Sequence, residues 1–261
     1  MNCRICNNDK LNLFYEQGDK NQFKFYKCPK CGLVNLDLSG LKIDDHQGKY
    51  FARFKHIENY ENEKEAKAAY QFIKKHIPVK GSYLDVGCGG GSVLYFAKKD
   101  GWQVKGLEIS PDYAKYVHDT LQVEVYVADF LKFENIVEQF DVVSLRHVLE
   151  HLPDSILAMN KISALLKKGG YGYFEFPNIN SISHRIQRFF SNMKLHKKKY
   201  LNSYQPGHCN EFSKKTFCYL LKLTNFELVQ WETYSFKPFT NFIYNRIKIG
   251  TKARAIVRKQ G

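Results

Sequence analysis

Residues 84–93 read LDVGCGGGSV. An apolar run that ends in a glycine cluster and leads into helix-forming residues predicts a strand, a turn and a helix. Such a unit turns backbone N–H groups and a helix N-terminus toward a ligand. The dinucleotide fingerprint G-x-G-x-x-G is not met, because Ser92 stands at the sixth position from Gly87. The phosphate-loop pattern G-x-x-x-x-G-K-[ST] is not met either. The sequence has Asp85-x-Gly87-x-Gly89-x-Gly91 instead. An acid at the strand end repels a pyrophosphate and suits a ligand carrying an ammonium or sulfonium.

On both sides of this turn the chain falls into sections. Residues 1–45 are turn-rich and cysteine-bearing, and 46–80 hold a linker and one amphipathic helix. The helix is expected over 56–77, with Ala66, Ala69, Tyr70, Ile73 and Ile77 at helical spacing. Residues 81–177 alternate strand and helix: SYLDVG, WQVKGLEI, VEVYVADF, FDVVSLRH and YGYFEFPN read as five strands. This predicts an α/β fold, a doubly wound, mostly parallel Rossmann-like sheet covered on both faces. Its ligands belong beyond the carboxyl ends of the strands. The rhythm fails over 178–212, an insertion placed to cover a substrate site. Residues 213–261 resume with a helix (SKKTFCYLLKLTNF) and a strand (ELVQWETYSF), and KARAIVRK is expected as a last edge strand.

Two more acids end successive strands, Glu108 in GLEIS and Asp129 in VADF. An acid at the end of the second strand is placed to accept both ribose hydroxyls, and Phe130 is placed to lie against a purine. LDVGCGGGS, GLEIS, VADF, FDVVSLRHVLEHLPD and LLKKGGYGYFEFPN, in this order, resemble the motifs of class I S-adenosylmethionine-dependent methyltransferases across roughly residues 80–235. The resemblance implies S-adenosylmethionine as cofactor, with Asp85, Gly87, Cys88, Gly89 and Gly91 around its methionine part. It implies Glu108 and Ile109 at the ribose and Asp129 with Phe130 at the adenine. Arg146 and His147 match the stretch that closes over the cofactor.

Methyl transfer to oxygen or carbon calls for alignment of the acceptor and commonly for a base, for which histidine is the first candidate. His147 and His151 lie in RHVLEHLPD at the expected mouth of the sheet. Their i, i+4 spacing would suit a metal pair on a helix, but HVLEH is not the H-E-x-x-H motif. His208, in QPGHCNEFS at the end of the insertion, is expected to face the site from the opposite side. Each of the three also has a purely structural reading as a hydrogen-bonded histidine.

Cys3-x-x-Cys6 and Cys28-x-x-Cys31 form a C-x2-C-x21-C-x2-C pattern. Paired knuckles of this kind suit a tetrahedral zinc ion in a structural role. The intervening FYEQG and FKFYKC read as strands of a small zinc ribbon. A ribbon before such a methyltransferase domain resembles two groups. One comprises bacterial enzymes of small-molecule, sugar and quinone-type pathways, and the other ribosomal RNA guanine methyltransferases.

The formal net charge of +14 is concentrated in 184–201 and 237–261, which contain no acid and supply all but one of these charges. This suggests an anionic partner or, more blandly, a solvated basic face. Residues 1–45 are nearly neutral, which speaks against RNA, although Phe23, Phe25 and Tyr26 offer stacking faces. Phe236, Phe239, Phe242, Ile243 and Ile247 recur beside Arg246 and Lys248, a pattern suited to peripheral contact with an anionic membrane. No run is long enough to span a bilayer, and MNCRICNNDK lacks the apolar stretch of a signal peptide, so a cytoplasmic location is expected. The favoured function is methyl transfer to a small-molecule or glycan/lipid-precursor acceptor, anionic or carried on a nucleotide or lipid. A ribosomal or transfer RNA methyltransferase, and a non-catalytic zinc-ribbon binding module, are the alternatives.

Overall fold

The computed structural model describes residues 1–18, 21–41, 56–134, 138–192, 207–235 and 249–261. The N-terminal segment forms strands β1 (Asn12–Gln17), β2 (Phe23–Lys27) and β3 (Val34–Leu36) in an antiparallel meander. Tyr15, Phe23, Phe25, Val34 and Leu36 are buried together on one side, with Phe25 stacked on Tyr15 at 4.4 Å between ring centroids. Phe23 and Phe25, read above as stacking faces, are therefore unavailable to a ligand; the period-2 pattern that makes them strand residues also turns them inward.

Helix α1 (Lys64–His76) is shorter than the expected 56–77. Asn59 accepts the Glu61 amide at 2.9 Å and caps a separate 3-10 turn, Tyr60–Asn62, in front of it. Then follow β4 (Ser82–Val86), α2 (Ser92–Lys99), β5 (Gln103–Glu108), α3 (Pro111–Leu121), β6 (Glu124–Val127), β7 (Phe140–Arg146), α4 (Ser155–Leu165) and β8 (Leu166–Pro177). Ser110 and Asp154 cap α3 and α4 by accepting the amides of Tyr113 and Leu157. The C-terminal part holds α5 (Ile182–Asn192), β9 (Asn210–Glu211), α6 (Lys214–Leu223), β10 (Phe226–Tyr234) and β11 (Lys252–Lys259).

The large sheet has the order β10-β11-β8-β7-β4-β5-β6, and β4 to β8 pair in parallel. Strand β11 runs antiparallel between β8 and β10. KARAIVRK is thus an interior strand and not the expected edge: Ala253, Ala255, Ile256 and Val257 are fully buried, while Arg254 is held by Glu232. The mostly parallel Rossmann-like sheet is as expected. The basic segment 236–248, read as a membrane-contacting stretch, lies outside the described residues. No helix among the described residues is long and apolar enough to cross a membrane.

Strand β9, from the end of the insertion, completes the small sheet by pairing with β3 (Val34↔Glu211, Asn35↔Asn210). Cys3, Ile5, Cys28, Cys31 and Leu33 share one buried cluster with Leu84, Phe174, Phe176, Phe212 and Phe217 of the large domain. Helix α5 covers β1, where the Arg188 guanidinium lies 4.3 Å from the Phe14 ring centroid.

Candidate functional site

The turn after β4 is left-handed at Gly87, Gly89 and Gly91, conformations that side-chain-bearing residues seldom adopt. At Gly87 a Cβ would sit 2.5 Å from Val148 Cγ2, so close packing also demands glycine. At Gly89 a Cβ would meet nothing within 4 Å. The loop thus leaves open space beside its most forward backbone, where a ligand can approach.

Three acids stand at or just past the ends of β4, β5 and β6. Asp85 is buried and accepts a hydrogen bond from the Ser144 hydroxyl. Burial pushes its carboxyl up to about 7, against the opposing pull of Ser144. Glu108 is also buried; Oε2 accepts the Gly89 amide at 2.8 Å and Oε1 the Ser110 amide at 3.0 Å. Burial raises its pKa, and these amides moderate the rise. A carboxylate offers about four lone-pair sites, so Glu108 ties the glycine turn to β5 and still has capacity for a ligand hydroxyl. Ile109 beside it is half-buried. Asp129 caps its own turn through the Leu131 amide (3.0 Å) and pairs with Lys132 at 3.3 Å. Phe130 is buried in the main core, and Cys88 beneath the turn has its thiol pushed well up by burial.

At the carboxyl ends of β7 and β8 lies a second group of ionisable side chains. Arg146 pairs with Glu175 and with Glu65, both at 3.3 Å. His147 has φ +56, a strained backbone for a non-glycine residue, and its N–H donates to the Glu175 carbonyl at 2.8 Å. Its Nδ1 lies 3.3 Å from Glu150 Oε1, and its Nε2 lies 3.1 Å from Glu175 Oε1, within ion-pair range but without hydrogen-bond alignment. Burial disfavours the imidazolium, but Glu150 and Glu175 outweigh it and raise the His147 pKa. Glu175 is itself fully buried; the costs of burial are overcome by His147, Arg146 and the Tyr173 hydroxyl (2.5 Å), which hold it ionised.

His151 and His208 meet edge to face at 4.9 Å between centroids. His151 Nδ1 lies 3.2 Å from the Gly207 carbonyl. Burial pushes His208 down to about 3 and lowers His151 as well, so both rings are neutral near pH 7. Glu150 Oε2 is buried with no hydrogen-bond partner among the described residues, and Glu150, His151 and His208 each bring one ligand atom within 4.8 Å of the others. The three histidines named from the sequence thus lie close to one another. Glu150, which stands among all three, and Glu175, which faces His147, were not named from the sequence. Glu175 did leave a trace there: a single acid inside the aromatic run YGYFEFP, on a strand otherwise fit for burial.

In the small domain the four cysteines named as ligands converge. Cys3 and Cys31 Sγ are 3.4 Å apart, as are Cys6 and Cys28, and all four lie within 4.8 Å of one another. A tetrahedron of thiolates around zinc has sulfurs about 3.8 Å apart from the ~2.3 Å bond length. The donor set and its spacing fit such an ion.

The family profile described as a methyltransferase domain matches residues 56–231, more than half of the chain. The chain belongs to this family. The methyltransferase aligns with a ubiquinone biosynthesis O-methyltransferase from Coxiella burnetii, 32% identical over 116 residues, which cover 42% of this chain and 50% of that protein. It spans about half the length of the curated relatives it matches. Among solved structures, a SAM-dependent methyltransferase from Archaeoglobus fulgidus aligns with TM-score 0.55 and 18% identity, covering 74% of this chain and 94% of that one. A 1,6-didemethyltoxoflavin N1-methyltransferase from Burkholderia thailandensis, solved with S-adenosylhomocysteine, aligns with TM-score 0.59 and 15% identity over 95% and 100% of the two chains. The fold and family expected from the glycine loop are therefore borne out.

Proposed function

We propose that this methyltransferase transfers a methyl group from S-adenosylmethionine to the oxygen of a small, hydroxylated acceptor. The observation that carries this reading is the neutral His151–His208 pair beside the buried Glu150 carboxylate, at the strand ends where the sheet presents its ligands. The curated relatives carry an O-methyltransferase name, which agrees with it.

S-adenosylmethionine, when bound, supplies an electrophilic methyl group on a sulfonium. The Gly89 cradle and the Asp85 and Glu108 carboxylates suit its aminoacyl and ribose parts, with Asp129 toward the adenine. A neutral imidazole on His208 accepts the acceptor hydroxyl's proton. An oxygen that is gaining a third bond becomes strongly acidic, so even a base of low pKa suffices. Glu150 offsets the charge that then appears on the ring. His147, between Glu150 and Glu175, holds both carboxylates in place and contributes orientation.

Zinc on Cys3, Cys6, Cys28 and Cys31 has a structural role in this reading, because four protein ligands leave no open position. The near-neutral ribbon and the burial of Phe23 and Phe25 favour a small acceptor over RNA. The test is methyl transfer from radiolabelled S-adenosylmethionine into fractionated cell extract. Label in a small-molecule or lipid-precursor fraction is expected. Label in RNA, with affinity falling steeply with salt, would sink the proposal.

A further inference from the structure

Arg4 stands inside the Cys3–Cys6 knuckle, yet its side chain reaches out of it. Nε donates to Asn210 Oδ1 at 2.9 Å, Nη1 to the Leu36 carbonyl at 2.9 Å, and Nη2 to the Cys209 carbonyl. The Arg4 main-chain N–H donates to Asn35 Oδ1 at 3.1 Å, and Asn35 in turn donates to the Tyr26 and Leu33 carbonyls. The guanidinium is therefore anchored in the ribbon and grips the two residues that follow His208.

Those residues are gripped from the other side as well. The Cys209 amide donates to the Glu150 carbonyl at 2.8 Å, and Asn210 Nδ2 donates to the Leu152 carbonyl at 2.7 Å and to Ser155 Oγ at 3.2 Å. Residues 208–210 are thus clamped between the ribbon and the turn that carries Glu150 and His151. A planar fork with donors in fixed directions can satisfy three divergent acceptors at once, which a lysine ammonium on a flexible stem cannot do in the same place.

We infer that Arg4 is a positioning residue for the acceptor side of the site: it holds residues 208–210 so that His208 packs against His151 beside Glu150. The cysteine ribbon is then a wall of the active site and not an appended module. This rests on the reading of His208 as an acceptor-side group. The cofactor side depends on it far less, because the glycine turn and Glu108 are built from β4, β5 and the loops after them, which do not bond to Arg4.

The experiment compares the full-length protein, as purified with its metal, with Arg4→Ala and Arg4→Lys. Ring-labelled histidine spectra are followed from pH 5 to 8, with the His208 signal assigned from its loss in His208→Gln. In the wild type His208 is expected not to titrate over this range. In Arg4→Ala it is expected to titrate. S-adenosylhomocysteine affinity should stay within about twofold and metal content should stay that of the wild type, while turnover falls at least tenfold through kcat. Arg4→Lys should be intermediate, and it carries the test if Arg4→Ala does not fold. An unchanged His208 titration in a folded variant overturns the inference. So does a loss of turnover matched by the loss of cofactor affinity, the mark of general unfolding. Release of His208 with turnover intact would leave the clamp standing and remove His208 from the chemistry, which is failure of the functional reading alone.

Discussion

Glu175 holds His147 at two points. Its carbonyl accepts the His147 amide at 2.8 Å, and its carboxylate lies 3.1 Å from the same residue's Nε2. The left-handed backbone at His147 and the raised pKa of its ring are thus both supported by one buried acid near the end of β8.

The His147 pKa is raised in the fold, so its contribution to stability is fully present below the ordinary value of about 6.5 and fades as pH rises through the higher folded value. Glu175 is depressed, so its contribution is lost only in acid, below the ordinary carboxylate range. His147→Asn keeps a residue that tolerates the left-handed backbone while removing the ring. Its melting temperature is expected to trail the wild type most at pH 5.5–6 and least near pH 9. A gap that does not vary with pH would refute the assignment.

Glu175→Gln leaves Arg146 and His147 short of their shared counter-charge. Loss of one partner from a buried charge network costs about 3–5 kcal/mol. Denaturant unfolding at pH 7 measures it, and a loss below about 1 kcal/mol would mean that water already screens the group.

Asp85 is expected to make cofactor binding pH-dependent. Its carboxyl titrates at about 7 in the unliganded protein, and only the ionised form attracts an ammonium. S-adenosylhomocysteine should bind roughly tenfold more tightly at pH 8 than at pH 6. Asp85→Asn should flatten the dependence, as read by calorimetry, and a wild type already flat would contradict the placement.

Two glycine substitutions should separate folding from binding. Gly87→Ala places a methyl 2.5 Å from Val148 Cγ2 at a left-handed residue, and should destabilise by about 1–3 kcal/mol. Gly89→Ala meets no such clash, so its folding loss is only the strain of about 1–2 kcal/mol, while its methyl enters the ligand's space. Cofactor affinity should then fall more than tenfold in Gly89→Ala; equal affinity in both variants would refute the cradle.

The ribbon should carry one equivalent of zinc per chain, measured by elemental analysis. Cys28→Ser should lower both metal content and melting temperature, because Cys28 is fully buried in the core that the two sheets share.

What was legible in the sequence follows from the range of each interaction. The glycine turn and the acids at successive strand ends are local, and each declares itself within a few residues. The four cysteines were legible because metal-ligand spacing is a strong code. Glu175 was hidden because its meaning depends on the register that sets it opposite Arg146 across two strands. The interior position of β11 was hidden for a related reason. Alternating Ala and Arg look like an exposed edge until α1 packs over Arg254, which donates to the Ala68 carbonyl at 3.0 Å. The clamp at Arg4 joins residues more than two hundred positions apart, beyond any sequence period.

The pairing of β3 with β9 has a consequence for the order of synthesis. Val34 leaves the ribosome long before its partner Glu211 exists. At about 5–20 residues per second, the open edge of the small sheet waits on the order of ten seconds or more for its last strand. Throughout that interval the nascent ribbon presents an unpaired strand edge and an uncovered cluster of thiols. Early metal capture would shield the cysteines but not the edge, so the newborn chain's exposure to mispairing is set by how quickly residues 210–211 arrive.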